Sequence, residues 1–184
     1  MCIRDSIQPD RVKIEVKDKY IFSYALLKKV MKWAREVNPS QPLTVGLWKG
    51  DHTLWGTPEA LRPLERFMVK NSDIISFHTY NGPKITQEKI EALKYYNRPI
   101  ICTEYLAREN GSTFEAILPI FKANQISAIN WGFVSGKTNT IFPWISWIKK
   151  YDSLPKIWHH DIYRKDKSPF SKKEVAFIKD QLIN

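Results

Sequence analysis

Four short apolar runs recur along this chain at near-constant spacing, separated by stretches with helical periodicity. They are Leu43–Trp48, Asp73–His78, Pro99–Glu104 and Ser127–Phe133, and their starts lie 30, 26 and 28 residues apart. Runs this short, bounded by turn residues and alternating with helix-length segments, predict repeated β-α units and a parallel sheet. In such sheets and barrels the C-terminal strand ends line the functional face. Each run closes on side chains able to do chemistry or to stack on a ligand: Trp48, His78 with Tyr80, Glu104, and Asn130 with Trp131.

The intervening segments support this alternation. Tyr20–Val37 carries Ala25, Leu26, Val30, Trp33, Ala34 and Val37 at helical spacing, which predicts a helix. Pro39 ends the pattern, because the residue before a proline avoids the helical region. Gly46, inside the first run, suggests a close backbone approach. Thr57-Pro58 is a helix-start signal, with Pro63 moving the true start later. Thr86 is read as the cap of a helix over Gln87–Tyr96, and Thr113–Asn124 as the next helix. Residues Val134–Ser171 have no clear period and hold Trp144, Trp147, Trp158, His159 and His160. Loops this long within a domain are usually functional. Ser171 with Glu174 forms a capping box before a last helix, Lys172–Ile183.

Composition narrows the function classes. At 184 residues the chain is long enough for one domain with a real core. A formal charge of +10 invites a nucleic-acid reading. The lysines, however, are spread over helix faces, and no basic run or RNA- or DNA-binding motif occurs, so a nucleic-acid partner is not expected. No apolar run is long enough for a membrane helix, and no membrane partner is expected. The first residues show no signal peptide. Cys2 and Cys102 indicate no disulfide framework. His159-His160-Asp161 is the one metal-like cluster. It lacks further spaced ligands, so neither metal nor cofactor is expected. Met1–Ser6 belongs to no later pattern and resembles a translated sequencing-adapter end, which confines the protein proper to 7–184.

The segment Arg98-Pro99-Ile100-Ile101-Cys102-Thr103-Glu104-Tyr105 resembles the seventh strand of the retaining (β/α)8 glycoside hydrolases, the cellulase, xylanase and β-mannanase group. Ile75–Tyr80, with its His-x-Tyr, resembles that group's sixth strand, and Ala128–Gly132 its eighth, which carries a sugar-stacking tryptophan. The resemblance spans Tyr20 to Asn184. It implies an α/β fold that is the C-terminal half of a TIM barrel, strands five to eight with their helices. It implies Glu104 as nucleophile, Tyr80 as its hydrogen-bond donor and His78 as a second polar group over the same sugar ring. Trp131, Trp48, Trp144 and Asn130 become substrate-binding residues, and the partner a polysaccharide such as xylan, glucan or mannan. A secreted or periplasmic location is what the family implies. The family's acid/base glutamate follows an asparagine, and no Asn-Glu occurs here. By register that residue would lie just before Ile7, so the chain is expected to be inactive alone and to self-associate through open sheet edges. Two other functions fit the sequence: a non-catalytic carbohydrate-binding barrel and a basic nucleic-acid-binding α/β domain.

Overall fold

The computed structural model describes residues 17–183. Met1–Ser6, with Cys2, and the segment through Val16 lie outside the described residues. The chain is an α/β domain of five helices alternating with an open, parallel sheet of three strands. The helices are α1 (Lys19–Glu36), α2 (Pro63–Asn71), α3 (Pro83–Lys94), α4 (Phe114–Ala123) and α5 (Lys172–Ile183). The strands are β1 (Ile75–His78), β2 (Ile100–Tyr105) and β3 (Ser127–Asn130), and they pair in that order. The described residues close no barrel. None of their helices is long and apolar enough to cross a membrane.

Two compact units interleave along the sequence. One contains Thr79–Thr86 and residues 104–183; the other contains residues 17–78 and Gln87–Thr103.

In the second of these units the expected first strand is only partly formed. Residues 43–48 run parallel to β1, but only Leu47 makes a ladder bridge, to Phe77. Side chains take over much of the ladder. The Leu43 amide donates to Asp73 Oδ2 (2.8 Å) and the Val45 amide to Ser72 Oγ (3.0 Å). The Thr44 hydroxyl lies 2.6 Å from the Ile74 carbonyl oxygen and 2.7 Å from Ser76 Oγ. Backbone polar groups need partners, not necessarily backbone partners, so the segment lies strand-like beside β1 without being a regular strand. Gly46 makes the predicted close approach: a Cβ there would stand 3.2 Å from His78 Nε2.

Asp73 also anchors α1. Arg35 grips its carboxylate with two bonds of 2.8 Å and donates to the Asn71 carbonyl at 2.9 Å. These Arg35 bonds, then the Leu43 amide, hold the Asp73 carboxyl down at about 2.

The expected helix forms as α1. Met31 is buried, and Tyr20, Tyr24, Leu27 and Ala34 are half-buried on the same side. Tyr24 meets Phe67 of α2 edge to face. Leu26, Val30, Trp33 and Val37, on a neighbouring side, are 43–79 % exposed. Phe22 extends this stripe. The helix carries two apolar rows, and periodicity alone cannot choose between them.

The other helices follow local chemistry. Pro58–Ala60 forms only a 3-10 turn, and α2 starts at Pro63, whose lack of an N–H is harmless at a first helical position. The same rule starts α3 at Pro83, earlier than expected. Thr86 is therefore within its first turn and does not cap it; its hydroxyl is 3.0 Å from that of buried Thr79. Thr113 caps α4 by accepting from the Ala116 amide. Phe114, Ile117 and Phe121 of α4 are buried, and Tyr105 of β2 meets Phe114 and Phe121 edge to face.

The orientation of α1 is directly testable by urea unfolding. Met31→Ala should cost about 2–5 kcal/mol, the range for a buried side chain. Leu26→Gln in the exposed row should stay within about 0.5 kcal/mol of the parent. A helix packed by its Leu26–Trp33 side would give the reverse order.

Candidate functional site

Glu104 sits near the C-terminal end of β2, half-buried, in the unit that also holds Tyr80. Two elements bring these residues together. Tyr80 follows β1 by two residues, and the Thr79 amide donates to the Glu104 carbonyl at 2.9 Å. The two strand ends are thus in register, and the Tyr80 hydroxyl donates to Glu104 Oε2 at 2.5 Å. A hydroxyl donor to a carboxylate forms a short bond that fixes the carboxylate's orientation.

Tyr80 is itself buried among rings from the long loop after β3. Trp144 meets it edge to face at 5.0 Å between centroids, and His160 lies tilted at 5.6 Å. Trp144 also touches His159 (4.8 Å) and His160 (6.0 Å). Both histidines are essentially fully buried. The Trp131 amide donates to the Tyr105 carbonyl at 2.8 Å, which sets Trp131 beside the Glu104-bearing strand end.

The other residues expected at the site make local contacts. Asn130 uses its side-chain amide locally, donating to the Gly132 carbonyl at 2.6 Å. His78 and Trp48 belong to the other unit, where their rings pair at 6.2 Å and the His78 ring lies against Gly46. Trp48 is half-exposed, with the Lys49 ammonium 4.2 Å from its ring centroid.

The loop after β3 is held by residues that sequence reading passed over. Gly132 has φ +84°, and a Cβ on it would stand 2.6 Å from the Asp161 amide nitrogen. Only glycine lets the end of β3 run so close to residues 160–161. Asp161 Oδ2 accepts from the Thr140 hydroxyl at 2.6 Å.

Arg108, just after β2, is the larger omission. Its Nη1 donates to the carbonyls of Trp158 (3.0 Å) and His160 (2.6 Å), and its Nη2 to that of Asp161 (2.9 Å). Nε and Nη2 grip Glu174 at 2.9 and 2.7 Å. All five N–H donors of a guanidinium are engaged. Glu174 lies in the first turn of α5. Its amide donates to Ser171 Oγ at 3.2 Å, but its carboxylate serves Arg108, so the expected capping box is half built. The available signal was a pair of opposite charges at the ends of two elements, which sequence separation hides.

Among the described residues no cluster of three or more His, Cys, Asp or Glu is placed to hold a metal. No family model matches the chain, and no curated protein matches it.

In the other unit, Lys89 of α3 is buried behind the end of β1, with its ammonium 3.3 Å from the His78 carbonyl and 5.5 Å from the Trp55 ring. Burial pulls its pKa down to about 8, and the negative charge of a Cys102 thiolate works in the opposite direction.

Two measurements check these assignments. Arg108→Ala leaves Glu174 charged and buried and strips donors from three carbonyls. Unfolding free energy should fall by about 3–5 kcal/mol, the cost of breaking a buried pair from one side. Lys89 predicts a pH dependence. Between about 8 and its unfolded value of 10.5 the unfolded chain binds more protons than the folded one, so the Lys89 contribution to stability rises with pH across that window. Above pH 10 the opposite trend sets in from Tyr96, whose phenol burial raises to about 12. The difference in stability between the parent and Lys89→Met, followed from pH 7 to 10, should move in the parent's favour as pH rises. A flat difference would show that Lys89 is solvated.

Proposed function

We propose that this chain is the C-terminal half of a retaining (β/α)8 glycoside hydrolase that cleaves β-glycosidic bonds in a polysaccharide such as xylan, glucan or mannan, with Glu104 as its nucleophile. The observation that carries this reading is the 2.5 Å bond from Tyr80 to Glu104 at the C-terminal ends of parallel strands. A nucleophilic carboxylate must be aimed, and the buried Tyr80 phenol bound to one of its oxygens fixes its orientation.

Retaining hydrolysis proceeds in two displacements. In the first, a Glu104 oxygen bonds to the anomeric carbon as the glycosidic C–O bond breaks. The leaving oxygen takes the electron pair and a proton from a second carboxyl group. In the second, water bonds to the anomeric carbon, returns its proton to that carboxylate and releases Glu104. The two carboxyl groups stand about 5–5.5 Å apart in such enzymes. Two features support a partial barrel: the sheet is open, and the apolar stripe of α1 from Phe22 to Val37 lies exposed. Trp131, whose amide bonds the Tyr105 carbonyl, and Trp144, which packs on Tyr80, are the aromatic residues assigned here to a sugar's C–H face.

A good leaving group needs no general acid, whose loss otherwise costs about 10²–10⁴-fold. The chain should therefore be trapped by dinitrophenyl 2-deoxy-2-fluoro-β-glycosides of the gluco, xylo or manno series. Mass spectrometry should find the sugar esterified to the peptide containing Glu104, and Glu104→Gln should give no adduct. Unactivated aryl glycosides should be turned over negligibly. Sugar binding without an adduct in any series would favour the non-catalytic carbohydrate-binding reading. An adduct on another residue would remove Glu104 from its role.

A further inference from the structure

The backbone just beyond Glu104 takes an unusual turn. Leu106, two residues on and fully buried, has φ +82°. A bulky L-residue adopts this region only where its surroundings over-determine it, and such residues concentrate at functional sites. Two side chains hold this one. The Ser112 hydroxyl accepts from the Leu106 amide at 3.3 Å, and His160 Nδ1 bonds to the Leu106 carbonyl.

A carbonyl can only accept, so Nδ1 of His160 carries the proton. The His160 ring is completely buried, 5.6 Å from the ring of Tyr80 and 6.0 Å from that of Trp144. Its own backbone is fixed independently. The His160 amide donates to the Thr140 carbonyl at 3.2 Å, and its carbonyl accepts from Arg108 at 2.6 Å. His160 therefore joins a rigid part of the long loop to the segment bearing Glu104 on one side and to the Tyr80 ring on the other.

We propose that His160 is a positioning residue. Its Nδ1–H fixes the Leu106 carbonyl, and through it the end of β2, so that the Glu104 carboxylate meets the Tyr80 hydroxyl. Its importance for catalysis rests on the reading of Glu104 as nucleophile; the positioning itself does not.

The Tyr80–Glu104 bond can be read directly by NMR in this chain labelled with 13Cζ-tyrosine, because that carbon's shift follows phenol hydrogen bonding. Tyr80→Phe assigns the signal, and Glu104→Gln gives its position with a neutral acceptor. An asparagine side chain places its amide nitrogen near the Nδ1 position, whereas glutamine carries its amide one carbon further out. His160→Asn should keep the Tyr80 signal at its parent position. His160→Gln and His160→Ala should move it most of the way to the Glu104→Gln position, with the other tyrosine signals unchanged. The proposal is overturned if folded His160→Gln and His160→Ala chains keep the parent signal. It is equally overturned if His160→Asn moves the signal as far as His160→Gln does, or does not fold. If His160→Ala does not fold, the comparison of Asn with Gln decides. Glycosyl trapping is scored separately. No trapping with the expected NMR pattern refutes the hydrolase reading alone, and trapping with an unresponsive Tyr80 signal refutes the positioning role alone.

Discussion

The guanidinium of Arg108 is the interaction on which the candidate site depends. The segment from Val134 to Ser171 has little regular structure, so its buried carbonyls cannot rely on a ladder or a helix for donors. Arg108 supplies those of Trp158, His160 and Asp161, while Glu174 balances its charge. Removing a charged pair from water is costly, and only a full complement of hydrogen bonds offsets it. Here the complement is full. The Arg108 amide also donates to the His159 carbonyl at 3.0 Å, so the backbone beyond β2 and residues 158–161 move as one piece. The ring layer extends from the same point, with Trp158 stacked on Phe170 at 4.8 Å and the Arg108 guanidinium 5.1 Å from the Phe170 ring.

Through that piece the loop reaches the strand ends. His160 touches the Leu106 carbonyl and the Tyr80 ring, Trp144 touches Tyr80, and Tyr80 bonds Glu104. Each contact is modest, and all share one framework. A carboxylate expected to attack a carbon atom must be held closely, and side chains whose own rotamers are locked by packing do this better than mobile ones.

Much of the alternation was legible in the sequence because it rests on local rules. β1 and β3 fall within two of the four apolar runs, β2 runs one residue past a third, and α1, α4 and α5 lie within one residue of their predicted spans. The Tyr80–Glu104 contact was suggested by the resemblance and not by periodicity, since Tyr80 lies two residues beyond β1 whereas Glu104 lies within β2. What could not be read depends on partners distant in sequence. Residues 43–48 have strand composition, but Ser72, Asp73 and Thr44 itself satisfy much of that backbone with side chains. Asn130 turned to the Gly132 carbonyl, a local choice that a binding motif does not reveal. Arg108 and Glu174, 66 positions apart, carry no periodic signal at all.

Which side of α1 packs inward is likewise set by partners distant in sequence. Tyr20, Tyr24, Leu27, Met31 and Ala34 form one apolar row, and Phe22, Leu26, Val30, Trp33 and Val37 form another. Burying the first satisfies the packing against α2, through Tyr24 on Phe67, and fixes Arg35 onto Asp73. The second row then faces solvent with two large aromatic side chains in it. Single exposed apolar residues are ordinary, whereas a continuous row of five is not. A helix with two apolar rows belongs between two layers, and only one layer is present among the described residues. That asymmetry is a property of α1 and its packing on α2, and it is independent of Glu104.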